Sequence, residues 1–92
     1  MYYKVISKQE QITSNTKIIP DGFGTWGVYN IGTAPIFLNG VIPIPAGSRY
    51  ELPLEPYCKW WGDLVITFTN DGTQINNAII FKLYYEKIDD AI

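Results

Sequence analysis

Histidine is absent from the 92 residues. That removes the usual general base near neutral pH, and with it His-activated nucleophiles and zinc sites built on Cys and His. A single cysteine, Cys58, leaves no internal disulfide to form. Lys59 is adjacent to it, but neighbours on an extended chain point to opposite sides, so Cys58 reads as an inert structural thiol. Charge is sparse as well: 17% of residues are Asp, Glu, Lys or Arg, below the usual share of about a quarter. Seven basic and nine acidic residues give a net charge of −2 with no basic block, so the electrostatic footprint of a nucleic-acid binder is missing. No apolar run approaches the length of a membrane span. The opening Met1-Tyr2-Tyr3-Lys4-Val5 lacks the basic region and apolar run of a signal peptide. The chain is therefore expected to be made in a cytoplasm and to stay unprocessed.

Other chemistry is thin. Glu51 with Glu55, and Asp89 with Asp90, are the carboxylate pairs, and neither has the spacing of a calcium loop. Gly22-Phe23-Gly24 does not lead into a helix, so a phosphate-cradling loop is not expected. The reading is a protein that is not an enzyme and needs no metal or cofactor.

What is present is strand and turn. Asn39-Gly40 lies between the apolar runs Ile36-Phe37-Leu38 and Val41-Ile42. A type I′ turn needs positive φ at both central residues, and Asn-Gly tolerates that best. Turns are also expected at Pro20-Asp21-Gly22, Gly32-Thr33-Ala34-Pro35, Pro45-Ala46-Gly47 and Asn70-Asp71-Gly72. Pro43 and Pro45 cannot donate to a ladder, so the segment after the hairpin is an edge strand or leaves the sheet after Ile42.

Tyr2 to Ser7 reads as a strand with the Lys4 side outward, and Lys8 to Asn15 as a polar loop. Thr16 to Ile19 reads as a short strand. Thr25 to Asn30 is a strand with Trp26 and Val28 in the core, where Gly27 marks a bulge or a close backbone approach. Tyr50 and Leu52 face inward. Leu64 to Thr69 places Leu64, Ile66 and Phe68 inside. In the longest strand, Ala78 to Ile88, the unbroken apolar series Ile79, Phe81, Leu83, Tyr85 is expected inward, with Ile80, Lys82, Tyr84 and Glu86 outward. No window has helical periodicity. Regularly spaced short strands predict an all-β fold: one β-sandwich over 1–92, jelly-roll-like or Ig-like, of seven to eight short antiparallel strands.

Pro53 to Gly62 is irregular, and its two prolines preclude a helix. Within it Trp60 and Trp61 point to opposite sides on an extended chain, so one is expected to plug the end of the sandwich and the other to be exposed beside Tyr57; the competing reading is that both close the core. Candidate interface residues are thus Tyr57, Trp60 and Trp61 first. Val41, Ile42 and Pro43 on the proline-broken edge come next, then Ile80 and Tyr84 on the outward side of the last strand.

The series Asn30-x-Gly32, then Phe37-Leu38-Asn39-Gly40-Val41-Ile42-Pro43-Ile44-Pro45-Ala46-Gly47-Ser48, then Leu64-Val65-Ile66-Thr67-Phe68, resembles small β-sandwich virion proteins of tailed bacteriophages. These are capsid decoration or tail-accessory proteins, and the likeness covers roughly residues 27 to 88. It implies a structural protein of the virion. Most directly that is an auxiliary protein on the capsid surface that stabilises neighbouring subunits. The partner would be another virion protein, the major capsid protein favoured, with homo-oligomerisation as a further option. A tail or baseplate accessory protein is the first alternative. A carbohydrate-binding module using exposed aromatics is the second, disfavoured because such modules are normally exported.

Overall fold

The computed structural model describes residues 2–56 and 58–88. Its strands are β1 (Tyr2–Ile12), β2 (Thr16–Ile18), β3 (Trp26–Asn30), β4 (Ile36–Leu38), β5 (Ile42–Ile44), β6 (Arg49–Leu52), β7 (Leu64–Phe68) and β8 (Ala78–Ile88). They form two four-stranded sheets, β1-β8-β3-β6 (sheet A) and β2-β7-β4-β5 (sheet B), every pairing antiparallel. First pairs with last, second with seventh, third with sixth and fourth with fifth, and the pairs alternate between the sheets. That order is a jelly roll, the first of the two sandwich types expected.

The β4–β5 hairpin is the innermost pair and forms from local sequence. Asn39 and Gly40 both have positive φ, 53° and 73°, and the Val41 amide donates to the Leu38 carbonyl at 3.1 Å, closing the turn. Leu38 nevertheless pairs with Ile42. Val41 is left over as a bulge residue. Asn39 also ties the hairpin to β7: its amide donates to the Val65 carbonyl (2.8 Å) and its side-chain oxygen accepts from the Val65 amide (2.7 Å). Pro43 lies on β5 at the outer edge of sheet B, where no ladder bond is forfeited.

The core comprises Trp26 and Val28 of β3, Ile36 and Leu38 of β4, Ile44 of β5, Leu64, Ile66 and Phe68 of β7, and Ala78 and Ile80 of β8. Ile12, Ile18, Phe23 and Ala34 complete it. Tyr50 and Leu52 pack against it as expected. Among the described residues, Asn30 is the polar side chain buried there. The Asn30 side-chain amide donates to the carbonyls of Ala34 and Ile44, both at 2.9 Å, and its oxygen accepts from the Gly32 amide at 3.2 Å. It thereby links β3 of one sheet to β5 of the other.

Three expectations are corrected. Lys8 to Ile12 is not loop: β1 continues to Ile12, each residue paired with β8 down to Ala78. The Lys4 side of β1 is the core side, since it carries Ile12, buried in the cluster. The faces of β8 are also reversed. Val28 pairs with Ile80 and Asn30 with Ala78, so Ala78 and Ile80 point inward, and Ile79, Phe81 and Leu83 stand on the outer face, half-buried. Lys82 made the inner face look polar. It falls just where sheet B stops covering β8, and its ammonium lies 5.5 Å from the Phe23 ring.

Candidate functional site

β8 outruns the rest of its sheet. It pairs with β3 only as far as Trp26 opposite Lys82. Two more backbone bonds at Leu83 close the join: its carbonyl accepts from the Gly24 amide (2.8 Å) and its amide donates to the Thr25 carbonyl (2.9 Å). Beyond them Tyr84–Ile88 pairs with Tyr2–Ile6 alone. This two-stranded ribbon projects from the sandwich, and the molecule measures 59 × 20 × 17 Å. A two-stranded ribbon is marginal in water by itself, so its root matters. There the Tyr84 hydroxyl donates to Asp21 Oδ1 at 2.8 Å. Its ring meets Phe23 edge-on at 6.2 Å and lies 4.8 Å from the Lys8 ammonium. Burial first, then the Asp21 bond and charge, push the Tyr84 hydroxyl up to about 12.

Among the described residues, most of the large exposed apolar side chains lie at the end of the sandwich bearing the ribbon or on the ribbon itself. Ile19 (67% exposed) directly follows β2, whose last residue pairs with Leu64, the first of β7. Trp61 (90% exposed) precedes that same Leu64 by three residues, and Val41 (74%) sits on the hairpin tip bonded to Val65. Val5 and Ile88 are exposed on the ribbon itself. Topology therefore gathers five exposed apolar residues from five segments at one end. Ile31 and Ile75 are exposed at the opposite end.

The two tryptophans divide as their adjacency requires. Trp60 packs edge-on against Trp26 at 5.3 Å, its indole N–H donates to the Gly62 carbonyl at 2.6 Å, and its amide donates to Phe23 at 2.7 Å. Trp61 points away. Val41 and Pro43 are exposed and Ile42 half-buried. Tyr57 lies outside the described residues. Ile80 does not belong to any interface: it is 0% exposed, because the reversed face of β8 turns it into the core. Tyr84, on the same side, is held at the ribbon root rather than offered outward. Sequence reasoning missed Ile19, Val5 and Ile88. None carries a local signal, because an apolar residue in a strand reads as core until the opposing sheet is seen to end.

A second feature lies on the outer face of sheet A. The Phe81 ring lies across Gly27 of β3, where a Cβ would collide with it. This is the close approach that Gly27 predicts. Tyr29 meets Phe81 edge-on at 5.5 Å. The Tyr29 hydroxyl donates to Glu51 Oε1 at 3.1 Å, and Arg49 Nε pairs with the same oxygen at 3.1 Å. That bond to Glu51 is the main cause raising the Tyr29 hydroxyl above its ordinary value. Ser7, Gln9, Tyr29, Ile79 and Phe81 line an open depression of about 320 Å³. Its groups are hydrogen-bonding and stacking groups, with no nucleophile–base pair among them.

Among the described residues no cluster of three His, Cys, Asp or Glu side chains could hold a metal ion, and no helix is long and apolar enough to cross a membrane. No protein-family model, curated protein or solved structure matches this chain.

Proposed function

We propose that this protein is a non-enzymatic structural component of a tailed-phage particle. It is an auxiliary protein bound to the capsid surface, with the major capsid protein as its partner. It is made in the host cytoplasm and resides in the virion. The observation that carries this reading is the gathering of Ile19, Val41, Trp61, Val5 and Ile88 at the ribbon end. Exposed apolar side chains collected from separate segments at one end of a molecule are what an interaction site requires. Truncating a central aromatic anchor in such a site usually costs about 2 kcal/mol or more. The jelly roll adds support of a weaker kind: the fold is shared with viral shell proteins, but also with lectins and cupins. A tail or baseplate position would use the same surface.

Mass spectrometry of purified particles tests the reading, with the chain expected at stoichiometric copy number. Particles reconstituted with Trp61→Ala protein should show reduced occupancy while the free variant melts as the parent does. Absence of the chain from particles overturns the proposal.

The carbohydrate-binding reading has one observation of its own, the depression lined by Ser7, Gln9, Tyr29, Ile79 and Phe81, with the Tyr29 hydroxyl bonded to Glu51. Glycan binding lost on Tyr29→Ala would favour it.

A further inference from the structure

The outer edge of sheet A is β1, eleven residues long, and among the described residues no strand pairs with its far side. Such an edge presents a row of unused N–H and C=O groups and invites strand addition. The other edges are poorer templates. β2 and β5 have three residues each, β5 with Pro43 in the middle, and β6 has four.

We propose that the occupant of this edge is the β1 strand of a second copy, paired antiparallel about a two-fold axis through Ser7. This goes beyond the virion reading and does not depend on it. A two-fold axis perpendicular to a sheet brings residues of the same face opposite one another, so the symmetric registers with a residue on the axis are few. Centring on Ser7 pairs all eleven residues of the strand. It sets Lys4 opposite Glu10 of the other copy, twice by symmetry. Ile6 then faces Lys8, and Val5 faces Gln9. The neighbouring symmetric registers are penalised. Centring on Ile6 sets Lys4 against Lys8, and centring on Lys8 sets that ammonium against its own copy. Opposite charges across a strand pair stabilise it and like charges oppose it. The same lysines that discourage unregistered pairing therefore select this one.

The arrangement also supports the ribbon. Tyr2–Ile6 of one copy would run beside residues 8–12 of the other, where β1 flanks the body of the sandwich. The two-stranded projection becomes the centre of one continuous sheet built from the four strands of each copy.

The test is sedimentation equilibrium of the 92-residue chain, its Lys4→Glu and Glu10→Lys variants, and the double charge swap, each checked for folding by circular dichroism. The parent should dimerise. Each single reversal should weaken the dimer about tenfold, because two pairs turn repulsive together, and the double swap should restore it. In a Cys58→Ser background, Ser7→Cys should form a disulfide-linked dimer on mild oxidation, since paired residues on facing strands bring their Cα atoms within bridging distance. Gln9→Cys, which faces Val5 of the other copy, should not. A chain that stays monomeric, single reversals that associate like the parent, or Gln9→Cys linking as readily as Ser7→Cys would each overturn the proposal. None of these results touches the particle experiment, so the two ideas fail separately.

Discussion

The side-chain amide of Asn30 is buried between the sheets with its carbonyl partners, Ala34 and Ile44, on the opposite side. Replacing it with Ala strands those acceptors, at about 1–3 kcal/mol for a buried polar group left unpaired. In a domain of this size roughly 4–8 °C of melting temperature goes with each kcal/mol, so a calorimetric scan of Asn30→Ala should show a clear drop. Gly27 is constrained from the other direction. A methyl at that position meets the Phe81 ring, and overpacking of this kind costs about 1–3 kcal/mol. Gly27→Ala should therefore lower the denaturation midpoint, and Gly27→Ala with Phe81→Leu should recover part of the loss by vacating the space. An unchanged Gly27→Ala midpoint would show that the ring moves aside freely.

Two elements put adjacent residues on opposite sides of the packing, and each pair separates by substitution. On β8, Ile80 is enclosed and Phe81 lies in the outer depression. Ile80→Ala should cost about 2–5 kcal/mol, the range for a buried aliphatic truncation, and Phe81→Ala should cost less than the usual figure for a core Phe. Paired urea titrations would decide, and a larger loss for Phe81→Ala would return that face to the core. In the loop before β7, Trp60 stacks on Trp26 while Trp61 is exposed. Trp61→Ala should leave stability within about 0.5 kcal/mol of the parent, as surface substitutions usually do. Trp60→Ala should be plainly destabilised.

At the scale of the whole molecule, the ribbon is fastened to the sandwich by Tyr84, whose hydroxyl is pushed from 10.0 to about 12 by burial and by Asp21. The folded state holds that proton more tightly than the unfolded chain. Its contribution to stability is therefore complete below pH 10 and is lost as pH rises through about 12. Tyr29 shifts in the same direction through Glu51. The melting temperature should fall over that alkaline window, and Tyr84→Phe, which has no proton to lose, should fall less steeply. Equal slopes for parent and variant would remove Tyr84 from the cause.

All-β character was legible along the chain because alternation in Leu64 to Phe68 and the Asn39-Gly40 turn are local facts, fixed by side-chain parity and by which residues tolerate positive φ. Pro43 likewise excluded its segment from the middle of a sheet before any partner was known, since a missing N–H is a property of the residue itself, while its place on an edge strand rather than outside the sheet came from the tertiary structure. Adjacency put Trp60 and Trp61 on opposite sides of an extended chain, and the structure decided that Trp61 is the exposed one rather than both closing the core. Which face of β8 is inward did not follow, because both faces carry apolar side chains and only the reach of sheet B distinguishes them. The length of β1 was hidden for a related reason: Lys8 to Gln11 are polar, and they are strand only because β8 supplies a ladder 66 or more residues away along the chain. The ribbon end was decided in the same way. Ile19, Val41, Trp61, Val5 and Ile88 come to one end of the molecule only when the jelly-roll order brings five segments there, and burial depends on what lies opposite rather than on the residue itself.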